Sequence, residues 1–271
     1  MHKQRVLTAL VLVPLVLFGL LWGGIVFFKG LVFAVSFLCL YEYFSMTFET
    51  KPLFKAFGIL TGLLPVTIAM FKPGGSNILF GIFLASLVAI ILFLMTYESH
   101  TDPFLSLAQF IFGSFYIGLF TSLIALIYPM QYGRLWIIFL LAVVVAADTG
   151  AYYIGSSIGK HKLCPHISKG KTVEGAIGGL MACALTAILS WIVFMRFSDL
   201  RILIPLAILL GVASQIGDLT ESVIKRACGR KDSGSLLPGH GGMFDRVDGL
   251  LMAGPVLFWI LYFSDGCKGT G

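Results

Sequence analysis

Between Gln215 and Gly249 the chain sets five carboxylates, Asp218, Glu221, Asp232, Asp245 and Asp248, among five permanent cations, Lys225, Arg226, Arg230, Lys231 and Arg246. His240 and the pair Gly241-Gly242 stand in the same stretch. Clustered acids hold a hard divalent ion, Lys and Arg neutralise phosphate oxygens, and glycine lets backbone N–H groups approach an anion. The chemistry these residue types point to is metal-assisted work on phosphates. Asp218, Glu221, Ser222, Lys225 and Arg226 fall at i, i+3, i+4, i+7 and i+8, so they share one face if the helix before them continues. Lys231-Asp232 and Pro238 to Gly242 read as a loop. Asp245 and Asp248 are i, i+3 at the entry to another helix, able to point at one ion, with Arg246 on a different face.

The elements that must position these groups are lipid-soluble helices. The chain has 271 residues, 58% hydrophobic and only 12% charged; soluble domains carry about 45–50% apolar and about 25% charged residues. Apolar stretches of about twenty residues recur along its length, which makes it an all-α polytopic membrane protein. Nine spans are expected, near 6–22, 24–46, 54–71, 77–96, 103–128, 135–155, 174–195, 201–217 and 248–264. The first resembles a signal peptide but is long for one and lacks a small-residue cleavage site, so it is kept as a membrane helix. Residues 1–100 are expected to form the N-terminal helices, 101–173 the middle helices and a basic loop, and 174–271 a C-terminal catalytic region containing 215–249. The net charge of +6 is a topology signal and not evidence for nucleic-acid binding. With the N-terminus inside, 13 of the 19 Lys and Arg fall on the cytoplasmic side, together with the polar connections 156–173 and 218–247. The five cysteines form no C-x-x-C pair and indicate neither a disulfide framework nor a zinc site.

Two further acids lie in apolar spans. Glu42 is expected at a helix end, at the headgroup level, whereas Asp148 sits deeper and is a functional candidate, because a carboxylate near the centre of a membrane helix costs at least about 2.5–3.5 kcal/mol. In the connection 156–173, Gly155 to Lys160 imitates a phosphate-binding Walker loop but is one residue short, with His161 where Ser or Thr belongs, and Gly170-Lys171-Thr172 has the right ending but Pro165 at the first glycine position. His161, Cys164 and His166 match no usual metal-site spacing. Lys169, Lys171 and Thr172 remain as phosphate contacts, with Lys171 foremost.

From Ser222 to Asp248 the run SVIKRACGRKDSGSLLPGHGGMFDRVD resembles the signature of the CDP-diglyceride synthase (phosphatidate cytidylyltransferase) family at every fixed position. Gly217-Asp218-Leu219-Thr220-Glu221, Asp148 to Tyr152, and Ile167 to Gly175 are similar to other family segments, although Lys169 stands where the family usually has proline. The first five spans match only in being apolar. The resemblance implies a bacterial-type inner-membrane enzyme, a homodimer, that makes CDP-diacylglycerol and pyrophosphate from CTP and phosphatidate with a divalent metal, Mg²⁺, and room for a second cation. On this reading Asp218, Asp245 and Asp248 hold the metal, with Asp148 as a further ligand or support. Lys171, Lys225, Arg226 and Lys231 bind the phosphates, beside Thr172. His240, Gly241 and Gly242 present donors, and Ser222, Glu221, Asp232 and Arg246 position these groups. An enzyme that uses CDP-diacylglycerol would carry a D-G-x2-A-R pattern, which is absent; a cation-coupled transporter would carry internal repeats, and none is evident.

Overall fold

The computed structural model describes residues 16–99, 102–234 and 241–268. Helix α1 covers 16–22, and α2 (Gly24–Thr47), α3 (Pro52–Phe71) and α4 (Gly75–Met95) follow. Next come α5 (Pro103–Gly113), a π-helical turn (Ser114–Leu119) and α6 (Phe120–Ile127), then α7 (Gly133–Ile158). A two-stranded antiparallel hairpin, β1 (Lys162–Cys164) and β2 (Ser168–Thr172), precedes α8 (Val173–Val193), α9 (Leu200–Ala227) and α10 (Phe244–Lys268). Among the described residues, eight spans are long and apolar enough to cross a bilayer. They correspond to the second to ninth expected spans. Most of the first expected span lies outside the described residues.

The chain forms two compact units, one of residues 1–126 and 232–245 and one of 127–231 and 246–271. In the first unit, α2, α3, α4 and α5 meet in an aromatic core: Phe44 packs on Phe110, Phe48 on Phe54, and Phe93 on both Phe54 and Phe110. The Tyr43 hydroxyl donates to the Gln109 carbonyl across 2.8 Å, and Thr61 and Ser114 hydroxyls meet at 3.1 Å. Polar groups this deep find protein partners because hydrocarbon offers none. The same unit takes in the short segment Asp232–Asp245, far along the chain.

In the second unit, α7, α8 and α9 pack through small residues, the usual way for membrane helices to come close when lipid supplies no hydrophobic drive between them. Gly179 of α8 lies against α7, where a Cβ would come within 2.7 Å of the Ala147 carbonyl oxygen. Gln215 of α9 donates to the Ala176 carbonyl of α8 over 3.0 Å.

Two features fill in what the sequence reading left open. The helix of the eighth span, α9, continues past its expected edge at residue 217 to Ala227, the condition for Asp218, Glu221, Ser222, Lys225 and Arg226 to share a face, and stops where Gly229 turns left-handed at φ +66°. Thr220 to Ala227 contains no helix breaker, and Lys225 and Arg226 suit the negative end of the helix dipole. The basic connection 156–173 is also not irregular: it holds the hairpin, tied down by Glu174 in the first turn of α8, which accepts from the Lys160 and His161 backbone N–H groups and pairs with His161 Nδ1 at 2.6 Å.

Gly179→Val is expected to force α7 and α8 apart and lower stability by about 1–3 kcal/mol, the usual range for overpacking. A fall of several degrees in the apparent Tm of detergent-purified protein would register it; an unchanged Tm would contradict the tight α7–α8 contact.

Candidate active site

The polar groups of the second unit are assembled by the close approach of α9 and α10. A Cβ on Gly217 would overlap the Asp248 carbonyl oxygen, and one on Gly249 would overlap the Ser214 hydroxyl. With glycine at both places the backbones come together, and Asp218 and Asp248 become neighbours. The continued α9 adds Glu221, one turn beyond Asp218. Ligand oxygens of Asp218, Glu221 and Asp248 all lie within 4.8 Å of one another, the one such acidic group among the described residues. Oxygens around an ion held at about 2.1–2.5 Å are at most about 4–5 Å apart, and an all-carboxylate set is what a hard divalent cation prefers. The residues therefore fit such an ion.

Two lysines face the acids. Lys171, at the end of β2, places Nζ 2.7 Å from Asp218 Oδ2. Lys225, one turn after Glu221, pairs with its carboxylate at 2.5 Å, and both side chains are largely withdrawn from solvent. Beside Lys171 and Asp218 opens a cleft of about 390 Å³, lined also by Asp148, Tyr152, Ser168, Gly170 and Thr172. That volume lies in the ordinary range for small-molecule sites, about 300–1,000 Å³. Thr172 is buried as the N-cap of α8, accepting from Gly175 N–H at 3.1 Å, so it fixes the strand-to-helix turn that carries Lys171.

The first unit holds a second polar cluster. Glu42 is 2% exposed, which corrects the expectation of a headgroup-level residue. Its carboxylate accepts from the Met243 and Phe244 N–H groups, each at 2.9 Å, at the start of α10. Asp245 Oδ2 accepts from the N–H groups of Ser233 and Gly242, each at 3.0 Å.

A family model described as the cytidylyltransferase family matches residues 3–264. The chain belongs to the cytidylyltransferase family. The phosphatidate cytidylyltransferase of Staphylococcus saprophyticus is 36% identical over 263 residues, covering 94% of this chain and 97% of that protein. The protein of that name from Bacillus subtilis is 34% identical over 268 residues, covering 96% and 97%, and that from Brucella suis is 35% identical over 257 residues, covering 94% and 92%.

In this cytidylyltransferase the sequence-derived residues distribute as follows. Asp218 and Asp248 come together, joined by Glu221, which the sequence reading had placed in a positioning role. Asp148 borders the cleft with Lys171 and Asp218. Asp245 has its Oδ2 engaged by donors within the first unit, and Gly242 spends its N–H on that oxygen. Arg226 donates to the carbonyls of Ile167 and Arg230, at 3.4 and 3.1 Å, tethering the end of α9 to the hairpin. Ser222 is half-buried, and Lys231, Asp232 and Arg246 are exposed. His240 lies outside the described residues. Ser233, which sequence reasoning passed over as a variable position, is 2% exposed and touches both Glu42 and Asp245. Cys228 is held as a thiol, its pKa pushed up by burial.

Two outcomes test this geometry. Mg²⁺ should raise the apparent Tm, by the equivalent of about 2.7 kcal/mol at a hundred times its Kd, and Asp248→Asn should abolish that rise. Gly217→Ala, which touches no ligand, should weaken the Mg²⁺ response by driving α9 from α10; a wild-type Mg²⁺ titration in that variant would contradict the proposed dependence on close approach.

Proposed function

We propose that this protein transfers the cytidylyl group of CTP to phosphatidate, forming CDP-diacylglycerol and releasing pyrophosphate for phospholipid synthesis. The observation that carries the reading is the trio Asp218, Glu221 and Asp248 with Lys171 and Lys225 against it, next to an open cleft on membrane-spanning helices. Relatives named phosphatidate cytidylyltransferase along nearly the full chain support the choice of substrates.

In the proposed reaction an oxygen of the phosphatidate phosphate attacks the α-phosphorus of CTP. A new P–O bond forms, the bond from the α-phosphorus to the bridging oxygen breaks, and pyrophosphate carries that electron pair away. A phosphate monoester has its second pKa near 6 and is largely dianionic at neutral pH, so the nucleophile needs no strong general base. What it needs is relief from repulsion, since an anion must approach a polyanion. Lys171 at the cleft edge is placed to exchange its contact with Asp218 for a phosphate oxygen. Lys225 pairs with the buried Glu221 carboxylate. Lys231 and Arg246, exposed within the signature, are assigned to phosphate oxygens. Mg²⁺ held by Asp218, Glu221 and Asp248, with Asp148 in support, would supply further neutralisation of phosphate charge when bound. Asp245 and Gly242 are assigned to shaping the turn that leads into α10. The charge distribution supports a cytoplasm-facing site in the inner membrane, and the family resemblance supports a homodimer.

Pyrophosphate release by purified protein in detergent should require CTP, phosphatidate and Mg²⁺ together. Lys171→Met should lower kcat by about 10²-fold, the scale of losing one preorganised electrostatic contact. Release with phosphatidate omitted, or none from folded protein supplied with metal, would overturn the assignment.

A further inference from the structure

We propose that Glu42 is a positioning residue for the reaction, clamping Ser233 to the start of α10; this rests on the cytidylyltransfer reading and deepens it. Glu42 belongs to α2, in the half of the chain that carries no signature residue. Its Oε1 accepts from Met243 N–H and its Oε2 from Phe244 N–H, so one carboxylate satisfies two of the orphan donors at the start of α10. Negative charge at that end is also favoured by the helix dipole. The Ser233 hydroxyl stands 2.9 Å from Glu42 Oε2 and 2.9 Å from Asp245 Oδ2. A hydroxyl has one proton, so it bridges the two carboxylates by donating to either, while backbone N–H groups hold each of them independently.

Ser233 precedes residues 235–240 in the chain and Met243-Phe244 follow them, so this single side chain ties the two described flanks together. The packing leaves no slack. A Cβ on Gly242 would overlap both the Ser233 hydroxyl and the Glu42 carboxylate, and one on Gly234 would sit 2.8 Å from Glu42 Oε1. Gly241, at φ +80°, makes the left-handed turn between them. Aromatic packing fixes Glu42 in turn, since the adjacent Tyr43 and Phe44 are buried in the first unit's core and Tyr43 meets Phe244 edge-on. The first turn of α10 carries Asp245, and Asp248 follows within the same helix. The clamp thus acts on the helix that carries Asp248, without Glu42 touching substrate or metal.

The test compares wild type, Glu42→Gln and Ser233→Ala in detergent, using pyrophosphate release and the Mg²⁺ dependence of both kcat and Tm. The glutamine amide keeps the size but offers one acceptor; however it turns, its NH2 opposes a backbone N–H. Glu42→Gln should lower kcat at least tenfold per folded molecule and raise the Mg²⁺ midpoint several-fold in both readouts, with KM for CTP changed less than kcat. Ser233→Ala should move the same quantities in the same direction by less. A folded Glu42→Gln protein with lowered Tm but wild-type kcat and Mg²⁺ midpoint would overturn the proposal, leaving a helix cap. Should Glu42→Gln fail to fold, wild-type kcat and Mg²⁺ midpoint in Ser233→Ala would overturn it. Absence of pyrophosphate release from wild type counts against the reaction, and the Mg²⁺-dependent Tm shift then still tests the clamp.

Discussion

Three carboxylates brought within 4.8 Å of one another on membrane helices would repel strongly, because Coulomb energies grow as the local dielectric falls. Everything around them answers that constraint. Lys171 and Lys225 each offset one acid at contact distance, and a divalent ion, when bound, would offset the remainder. Removing Lys225 would leave the Glu221 charge buried without its partner, which is far more destabilising than the intact pair is stabilising. The stored electrostatic demand is also what makes the site useful: groups poised to accept positive charge are poised to gather a metal and the phosphates that travel with it.

Bringing the acids together is a backbone problem before it is a side-chain problem. Leu or Val at an α9–α10 crossing would keep the helix axes at ordinary separation and the short aspartate side chains apart. Gly217 and Gly249 remove that spacing, and Asp218 and Asp248 are their immediate neighbours in sequence. The glycine beside each acid thus serves as part of the ligand geometry, by a logic familiar from small-residue packing in membranes. Lys225 depends on the same helix being one unbroken cylinder from Leu200 to Ala227, since only then does it stand a turn from Glu221.

Much of this was legible in the sequence, for identifiable reasons. Span positions follow from apolar length, and the shared face of Asp218, Glu221 and Lys225 follows from helical spacing once α9 continues. The chain's polarity after Gly217 left that continuation open, because a hydropathy boundary marks the edge of the hydrocarbon and not the end of a helix. The hairpin at Lys162–Thr172 was not legible: its strands are three and five residues long and are held by Glu174, a contact between elements. Glu42 was misjudged for a similar reason. Its neighbours Tyr41 and Tyr43 fit an interfacial helix end, while its actual partners lie about two hundred residues away along the chain.

That long-range contact changes how the signature itself is understood. Ser222 to Asp248 reads as one continuous catalytic stretch, yet Asp232–Asp245 folds with the first unit while the residues on either side fold with the second. A segment divided in this way cannot acquire its shape from local sequence alone. Gly234, Gly241 and Gly242 permit the turn, but permission is not specification: glycine makes a conformation accessible while raising the entropy lost in adopting it. The specification comes from two acceptors, the buried Glu42 and the half-buried Asp245, whose oxygens gather the turn's N–H groups. The N-terminal helices, which carry no signature residue, thereby contribute more than lipid solubility. They hold the acid that joins Ser233 to the start of α10, and their aromatic core packs around the residues next to that acid.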